Sequence, residues 1–384
     1  MKSTEIRLFV LGDIFPGGDL IPNWKEADFD PFHGIRDLLQ ADELVFGNIE
    51  CVFYHGPSRP HRGSHLWAPP ESVNGLKKLG LSVAGLANNH VMDFGPEAML
   101  RSAALLESNG IRCVGAGRDI RAAVRGCVIE HKGWRVGFAA FTTNAYYVRA
   151  ITANARSAGC APMRESIMET EIRRLRSQVD LLCVGLHWGY EYLHVPQPEQ
   201  RQLTRQIIQW GADVIVGSHP HVVQGYEYLA GRPVFYSLGN FIFPNYVRAD
   251  CSRRVWELIQ NHSLAGLIRV SDHSGKLTIG TSVIPLVFDF PTVRRLSESE
   301  QVMFDMKLHE WLDALREDPS AAPIIATTRA EVRRRDFQWR RNWGKRLFKN
   351  CIMRPILAKL KPASGIGAGT FKGESRDPGC RIEK

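Results

Sequence analysis

Five apolar runs in this chain end in residues that bind metals or move protons. Val10-Leu11-Gly12 leads into Asp13, Val45-Phe46-Gly47 into Asn48 and Glu50, and Gly85-Leu86-Ala87 into Asn88, Asn89 and His90. Val184-Gly185-Leu186 leads into His187, and Ile215-Val216-Gly217-Ser218 into His219-Pro220-His221. Asp13 and Glu50 offer carboxylate oxygens, Asn89 an amide oxygen, and His187, His219 and His221 imidazole nitrogens. That mixture suits one or two divalent ions of Mn, Fe or Zn rather than calcium, with Glu50 placed to be shared. Such a site polarises a phosphoryl oxygen, activates water and steadies a leaving oxygen.

His90 follows Asn89 directly, so an imidazole can stand beside a ligated amide without ligating, in the position to protonate a leaving group. Asp93 would orient that ring by accepting its other N–H; the competing reading makes Asp93 the cap of a helix starting near Pro96. Asn48, Glu191 and Asn240 are the candidate substrate contacts, with local structural roles as the alternative for Glu191 and Asn240. One histidine is ordinarily structural. A His-x-His after one strand, an Asn-His after another and a third strand-end histidine are far harder to explain as packing.

The elements must bring these ends together. A short Val, Ile, Leu and Phe run bounded by Gly reads as a buried strand, and side chains past its end project into the crevice where open α/β sheets bind ligands. Strands are predicted at 6–11, 43–46, 82–87, 112–114 and 135–141, alternating with helices at 30–40, 70–79 and 97–108. Helix-then-strand units recur at 166–178 with 180–186 and at 199–210 with 213–216. Repeated alternation implies crossover connections and a largely parallel or mixed sheet. After a strand at 233–236, strands at 264–271 and 277–286 joined at Gly275-Lys276 read as an antiparallel addition, expected as a second sheet on the first. Between Cys51 and Pro70 a stretch without periodicity carries three His and two Arg, either overhanging the site or solvated.

With 384 residues and 44% hydrophobic content, the chain can bury a full core. Its eight cysteines form no Cys-x-x-Cys pair and no ladder, so neither a thiolate zinc site nor a disulfide framework is indicated. The net charge of +9 is localised: residues 329–361 hold twelve Lys or Arg against two acids, a net +10, which leaves −1 for the rest. Aromatic and aliphatic residues from Phe337 to Met353 interleave with that charge, which suits a membrane surface or an acidic partner, or a helix packed on the body. Residues 362–384 read as a disordered tail. The start of the chain has too few apolar residues for a signal peptide, and no stretch approaches ~18 apolar residues. The expected location is cytoplasmic, with peripheral contact at the inner face of the membrane through 329–361. No P-loop, Gly-x-Ser-x-Gly or His-Glu-x-x-His motif is present, which removes support for nucleotide-driven ligation, serine hydrolysis and common zinc proteolysis.

Six motifs in order, Gly12-Asp13, Gly47-Asn48-Ile49-Glu50, Ala87-Asn88-Asn89-His90, His187-Trp188-Gly189-Tyr190-Glu191, Gly217-Ser218-His219-Pro220-His221 and Ser237-Leu238-Gly239-Asn240-Phe241-Ile242-Phe243, resemble the bacterial capsule synthesis (CapA, poly-gamma-glutamate capsule) family. That family is similar to calcineurin-like metallophosphoesterases. The resemblance covers about residues 5–290 and implies a four-layer α-β-β-α sandwich, assigned to 1–295; beyond it the residues themselves read as a basic helical extension over 296–361 and then the tail. It also implies work on an anionic capsular polymer, chiefly poly-gamma-glutamate. Two departures stand out: metallophosphoesterases carry Asp-x-His where this chain has Phe15, and Gly-Asp where it has Gly47-Asn48. The position with Asn89, His187 and His219 is therefore expected to be better supplied than the one with Asp13 and His221.

The leading expectation is a capsule biosynthesis protein with a metal-dependent phosphoesterase-type site, acting on an anionic polymer or phosphoester. The alternative is a non-catalytic assembly or anchoring factor for a capsule polymer synthase. A nucleic-acid phosphodiesterase rests only on the basic tail, and the near-neutral remainder argues against it.

Overall fold

Alternation along each strand decides the architecture. A computed structural model describes residues 3–316 except 40–41, 55–64, 146, 249–251 and 274–275. Strands β1 (Glu5–Ile14), β2 (Leu44–Ile49), β3 (Val83–Gly85) and β4 (Arg112–Val114) run parallel, with helices α1 (Val73–Lys78) and α2 (Gly95–Ser108) between them. In the second half, β5 (Cys127–His131) pairs with β6 (Trp134–Thr142), followed by α3 (Glu165–Arg176), β7 (Leu181–His187), α4 (Pro198–Trp210) and β8 (Val214–Ser218). There β6, β7 and β8 are parallel, and β9 (Tyr226–Leu229) and β10 (Arg232–Phe235) close a six-stranded sheet ordered β9-β10-β8-β7-β6-β5. The first sheet is eight-stranded. Short β11 (Asn240–Ile242) lies parallel to the end of β1, and β12 (His262–His273), β13 (Lys276–Asp289) and β14 (Thr292–Arg295) extend the sheet on the other side of β1.

Ile6, Leu8 and Val10 of β1 meet Phe138, Leu181, Cys183, Val214 and Val216 between the sheets. The alternate residues Phe9 and Leu11 pack outward with Leu76, Met99 and Leu106 of α1 and α2. On the other side, Phe141, Leu182, Val184 and Ile215 pack outward on Ile172 and Leu175 of α3 and Ile207 of α4. Three apolar layers thus separate helix, sheet, sheet and helix, the expected four-layer order. Each such buried side chain stabilises by roughly 1.5–3 kcal/mol, and a one-residue slip would turn a whole strand's set to the wrong layer.

Two local expectations are corrected. Residues 30–39 form successive turns, not a helix: the Pro31 carbonyl accepts Val293 N–H at 2.7 Å and Gly34 bridges Arg294, so the i→i+4 ladder is interrupted by pairing to a distant strand. The antiparallel strands 262–273 and 276–289 are not a second sheet. β12 pairs with β1 from Ile6↔Val270 to Val10↔Gly266, because the free edge of β1 accepts it.

Helix α5 (Glu298–Arg316) follows β14 and buries Phe304, Leu308 and Trp311 at the inter-sheet layer, with Trp311 stacked on His194 at 4.2 Å between ring centres. The chain divides into units 1–328 and 329–384. The basic segment 329–361, the tail 362–384 and the 55–64 part of the histidine-bearing loop lie outside the described residues. Among the described residues, Cys51, Cys113, Cys127, Cys160 and Cys183 are free thiols, and no helix is long and apolar enough to cross a membrane.

Candidate metal centre

The carboxyl ends of β1, β2, β3, β7 and β8 converge, and their loops carry the site. Close backbone approach makes this possible. A Cβ on Gly12 would lie 2.0 Å from the Gly239 carbonyl oxygen, and one on Gly217 would lie 1.9 Å from that of Tyr236. Glycine at both places lets the 236–240 segment lie against β1 and β8, and Asp13 N–H then bonds Gly239 O at 2.9 Å. The strand register shifts next to Asp13 on both sides, bending the end of β1 into the crevice.

Glu50 stands at the centre. It is fully buried, and neither of its oxygens meets a hydrogen-bond donor. Its Oε1 lies 3.7 Å from His221 Nε2, 3.8 Å from His187 Nε2 and 3.9 Å from His90 Nε2. Around it, Asn89 Oδ1 approaches His187 Nε2 at 2.7 Å, and His219 Nδ1 approaches the same nitrogen at 3.1 Å. Two donor groups emerge, Glu50 with His219 and His221, and Asp13 with Glu50 and His187, each with its ligand atoms within 4.8 Å of one another. Glu50 belongs to both.

The electrostatics favour a cation. Burial pushes the Glu50 carboxyl well above the usual glutamate range, and the Asp13 and Glu191 charges push it further. Burial also raises Asp13, against the His221 charge, the Asn48 amide and the His219 N–H that pull it back. Burial drives His219 down to about 3 and His187 well below its usual range, so both rings are neutral and carry the lone pairs a metal needs. His219 Nε2 is buried with no partner. Orphaned carboxylate oxygens and an orphaned imidazole nitrogen, packed together in a protein interior, fit a divalent ion of the Mn, Fe or Zn kind.

The loop after β8 is strained. His219 has φ 95° and His221 φ 57°, left-handed values that side-chain-bearing residues rarely adopt, and Tyr192 with φ 65° joins them through its N–H to Pro220 O at 2.7 Å. This bend points both histidine rings at Glu50.

Buried amides set the ligands. Asn48 Nδ2 donates to Asp13 Oδ1 at 2.8 Å, and Asn48 Oδ1 accepts from Asn88 Nδ2 at 3.2 Å. Asn240 joins His221 Nδ1 through Oδ1 at 2.9 Å and donates to Gln260 O through Nδ2 at 2.9 Å. Both asparagines are buried with their amides engaged, and they orient Asp13 and His221. Glu191 is half-buried beside the histidines; burial raises its carboxyl, but the neighbouring His219 and His221 imidazoles and the Tyr192 hydroxyl outweigh that and bring it below the usual range.

His90 Nδ1 meets Asp93 Oδ2 at 2.8 Å, and the same oxygen accepts Leu66 N–H at 2.9 Å. The cap of α2 is Phe94, which makes no side-chain bond, so Asp93 orients His90 rather than capping the helix. Burial lowers the His90 pKa, yet the charge and hydrogen bond of Asp93 raise it more, and the net shift is upward. The side chain is 13% exposed, and its Nε2 faces Glu50 Oε1 at 3.9 Å.

Three contributors escaped the sequence reading. Asn88 ties β2 to β3 by donating to Ile49 O at 2.7 Å and accepting the His90 and Val91 N–H groups, and its signal was the Asn-Asn-His run. Ser218 Oγ lies 3.0 Å from His187 Nδ1, fixing the ring. Arg254 stacks over Tyr192 and Trp256 next to His221, and nothing in its spacing links it to the strand ends.

The chain is 32% identical over 238 residues to the PGA biosynthesis protein CapA of Bacillus subtilis, covering 61% of this chain and 62% of that protein. It is 30% identical over 253 residues to the capsule biosynthesis protein CapA of Bacillus anthracis, covering 63% and 61%. A probable polyglutamine synthesis accessory protein of Mycobacterium tuberculosis is 26% identical over 182 residues, 45% of this chain and 48% of that one. The chain thus spans about three-fifths of the length of the two CapA relatives. Among solved structures, the calcineurin-like phosphoesterase YfkN of Bacillus subtilis aligns with a TM-score of 0.44 at 12% identity, over 82% of this chain and 99% of that one. A 5'-nucleotidase precursor of Thermus thermophilus aligns with a TM-score of 0.41 at 14% identity, over 81% and 59%. The model of the family described as bacterial capsule synthesis protein PGA_cap matches residues 7–245, well over half of the chain, and this protein belongs to that family.

Proposed function

We propose that this protein is a capsule biosynthesis hydrolase of the CapA kind, whose site cleaves a phosphoester-type bond in the metabolism of an anionic polymer such as poly-gamma-glutamate. The observation that carries the reading is Glu50, a fully buried carboxylate without a donor and ringed by imidazole nitrogens at 3.7–3.9 Å. Asp13, Glu50, Asn89, His187, His219 and His221 would hold one or two ions of Mn, Fe or Zn. Bound there, such ions supply Lewis-acid polarisation of a phosphoryl oxygen and activation of water. His90, kept as a proton carrier by Asp93, gives its Nε2 proton to the departing oxygen. Asn48 and Asn240 keep Asp13 and His221 aimed, and the left-handed backbone at 219 and 221 keeps both rings turned inward.

Elemental analysis of purified wild type and His219→Ala, paired with turnover of a generic phosphodiester, tests this. Stoichiometric metal that falls in the variant together with activity is expected. Retained metal without turnover of any polymer or ester would favour the assembly-factor reading, which the similarity to a probable accessory protein of Mycobacterium tuberculosis also favours. The net +10 segment 329–361 would place the protein peripherally on the anionic inner face of the membrane. Flotation with phosphatidylglycerol vesicles should fall when residues 329–384 are removed, and equal flotation would sink the idea.

A further inference from the structure

Arg254 differs from most of the other inward arginines among the described residues. Arg176 pairs with Asp213, Arg201 with Glu227 and Arg294 with Glu300, each guanidinium meeting a carboxylate. Its neighbour Arg253 pairs with Asp19. Among the described residues no carboxylate pairs with Arg254: its Nε and Nη2 atoms are shielded from solvent and meet no hydrogen-bond acceptor. Those two atoms are the donors of one edge of the guanidinium plane, the edge that grips a carboxylate or phosphate with two parallel bonds.

The plane is held in place. Its central carbon lies 4.3 Å from the Trp256 ring centre and 4.9 Å from that of Tyr192. Trp256 is itself fixed by Nε1 donating to Pro244 O at 3.2 Å and by its N–H to Asn245 Oδ1 at 2.9 Å. Stacking fixes the plane and leaves its in-plane donors to be satisfied by something else. Both aromatic rings also flank the metal centre: Trp256 is 5.2 Å and Tyr192 6.3 Å from the His221 ring. A cation with two shielded, unmet donors is costly to keep in a fold unless an anion completes it.

We propose that Arg254 is the anion-reading residue of the cleft: its Nε–Nη2 edge binds an oxyanion, carboxylate or phosphate, one aromatic layer from the metal centre. The proposal rests on the reading of that centre as the reacting site, and it adds that the substrate carries a second anionic group away from the scissile bond. A substrate with one charged group at the metals and another on Arg254 is held in a fixed register across the Tyr192–Trp256 wall.

The test is calorimetric titration of the full chain, freed of metal by chelation, with inorganic phosphate and separately with glutarate. Wild type should bind at least one of them, and the tighter of the two identifies the phosphate or carboxylate source. Arg254→Gln should bind about ten- to a hundredfold more weakly, the loss expected for a charge-assisted pair of hydrogen bonds. Arg101→Gln, at an exposed position of α2, should bind as wild type does. Should the Gln variant fail to fold, Arg254→Lys carries the test, because it keeps the charge without the fork and should still bind several-fold more weakly. Absence of binding of both anions to wild type, or equal binding by the Arg254 variants, overturns the proposal. Loss of metal-dependent turnover with Arg254-dependent binding intact would instead count against the hydrolase reading alone.

Discussion

Replacing Glu50 with glutamine should stabilise the metal-free protein and weaken the metal-loaded one. Without metal, a carboxylate that is 0% exposed and has no donor at either oxygen is an uncompensated acceptor, a situation worth roughly 1–3 kcal/mol. Glutamine keeps the shape, removes the charge and brings an amide that can donate to Asp13, the charge that pushes Glu50 upward. At about 2 °C per kcal/mol for a body of this size, the chelated variant should melt about 2–6 °C higher. With metal at a hundred times its dissociation constant, wild type gains about 2.7 kcal/mol, hence about 5 °C. The variant lacks the one carboxylate common to both donor groups and should gain far less. The pH dependence follows the same logic. His219 has its usual 6.5 depressed to about 3, chiefly by burial, so it stays neutral in the fold and its contribution is complete above pH 6.5. That contribution is lost as pH falls from 6.5 toward about 3, by up to ~1.4 kcal/mol per unit, and His187 acts in the same direction. Glu50 opposes it: its folded value lies above the ordinary 4.5, so the metal-free fold gains stability as pH falls from that raised value toward 4.5. In the glutamine variant the loss between pH 6.5 and 5 should therefore be steeper. Differential scanning calorimetry with chelator and with Mn or Zn across this range decides the matter. A lower melting point of the chelated variant, or equal metal-induced shifts in both proteins, would refute the reasoning.

Three further outcomes are expected. His90→Gln should lower turnover by about 10²–10⁴ while metal content by elemental analysis stays at the wild-type level, and a parallel loss of metal would mean that His90 is a ligand. In Asp93→Asn, the charge that lifts His90 against burial is gone, so the limb of the pH–rate profile that reports the protonated acid should move to lower pH; an unmoved limb removes the acid from His90. Gly217→Ala would set a Cβ 1.9 Å from the Tyr236 backbone oxygen, and urea unfolding should register a loss of about 1–3 kcal/mol or more together with weaker metal binding; wild-type stability would disprove the close approach.

The residues themselves announced much of this protein. Apolar runs ending in Asp13, Glu50, Asn89, His187 and His219-Pro220-His221 announced strands with ligands at their ends, since a buried strand needs continuous apolar character and its terminus does not. The helix-strand alternation announced a largely parallel or mixed sheet, through the chirality and length of crossover connections. Other features depended on which distant segments touch. Local pattern cannot say that residues 31 and 34 pair with 293 and 294 instead of building a helix, or that β12 joins the edge of β1, because neither fact is carried by the periodicity of the segment concerned. Nor could it reveal that Asn48 and Asn240 turn inward to hold Asp13 and His221, that His219 and His221 sit in left-handed backbone, or that Arg254 lies across two aromatic rings from the same cluster. Sequence sets which groups are available and which face each strand presents. The distances that make them a site arise only when segments up to two hundred residues apart are packed to the density of a folded interior.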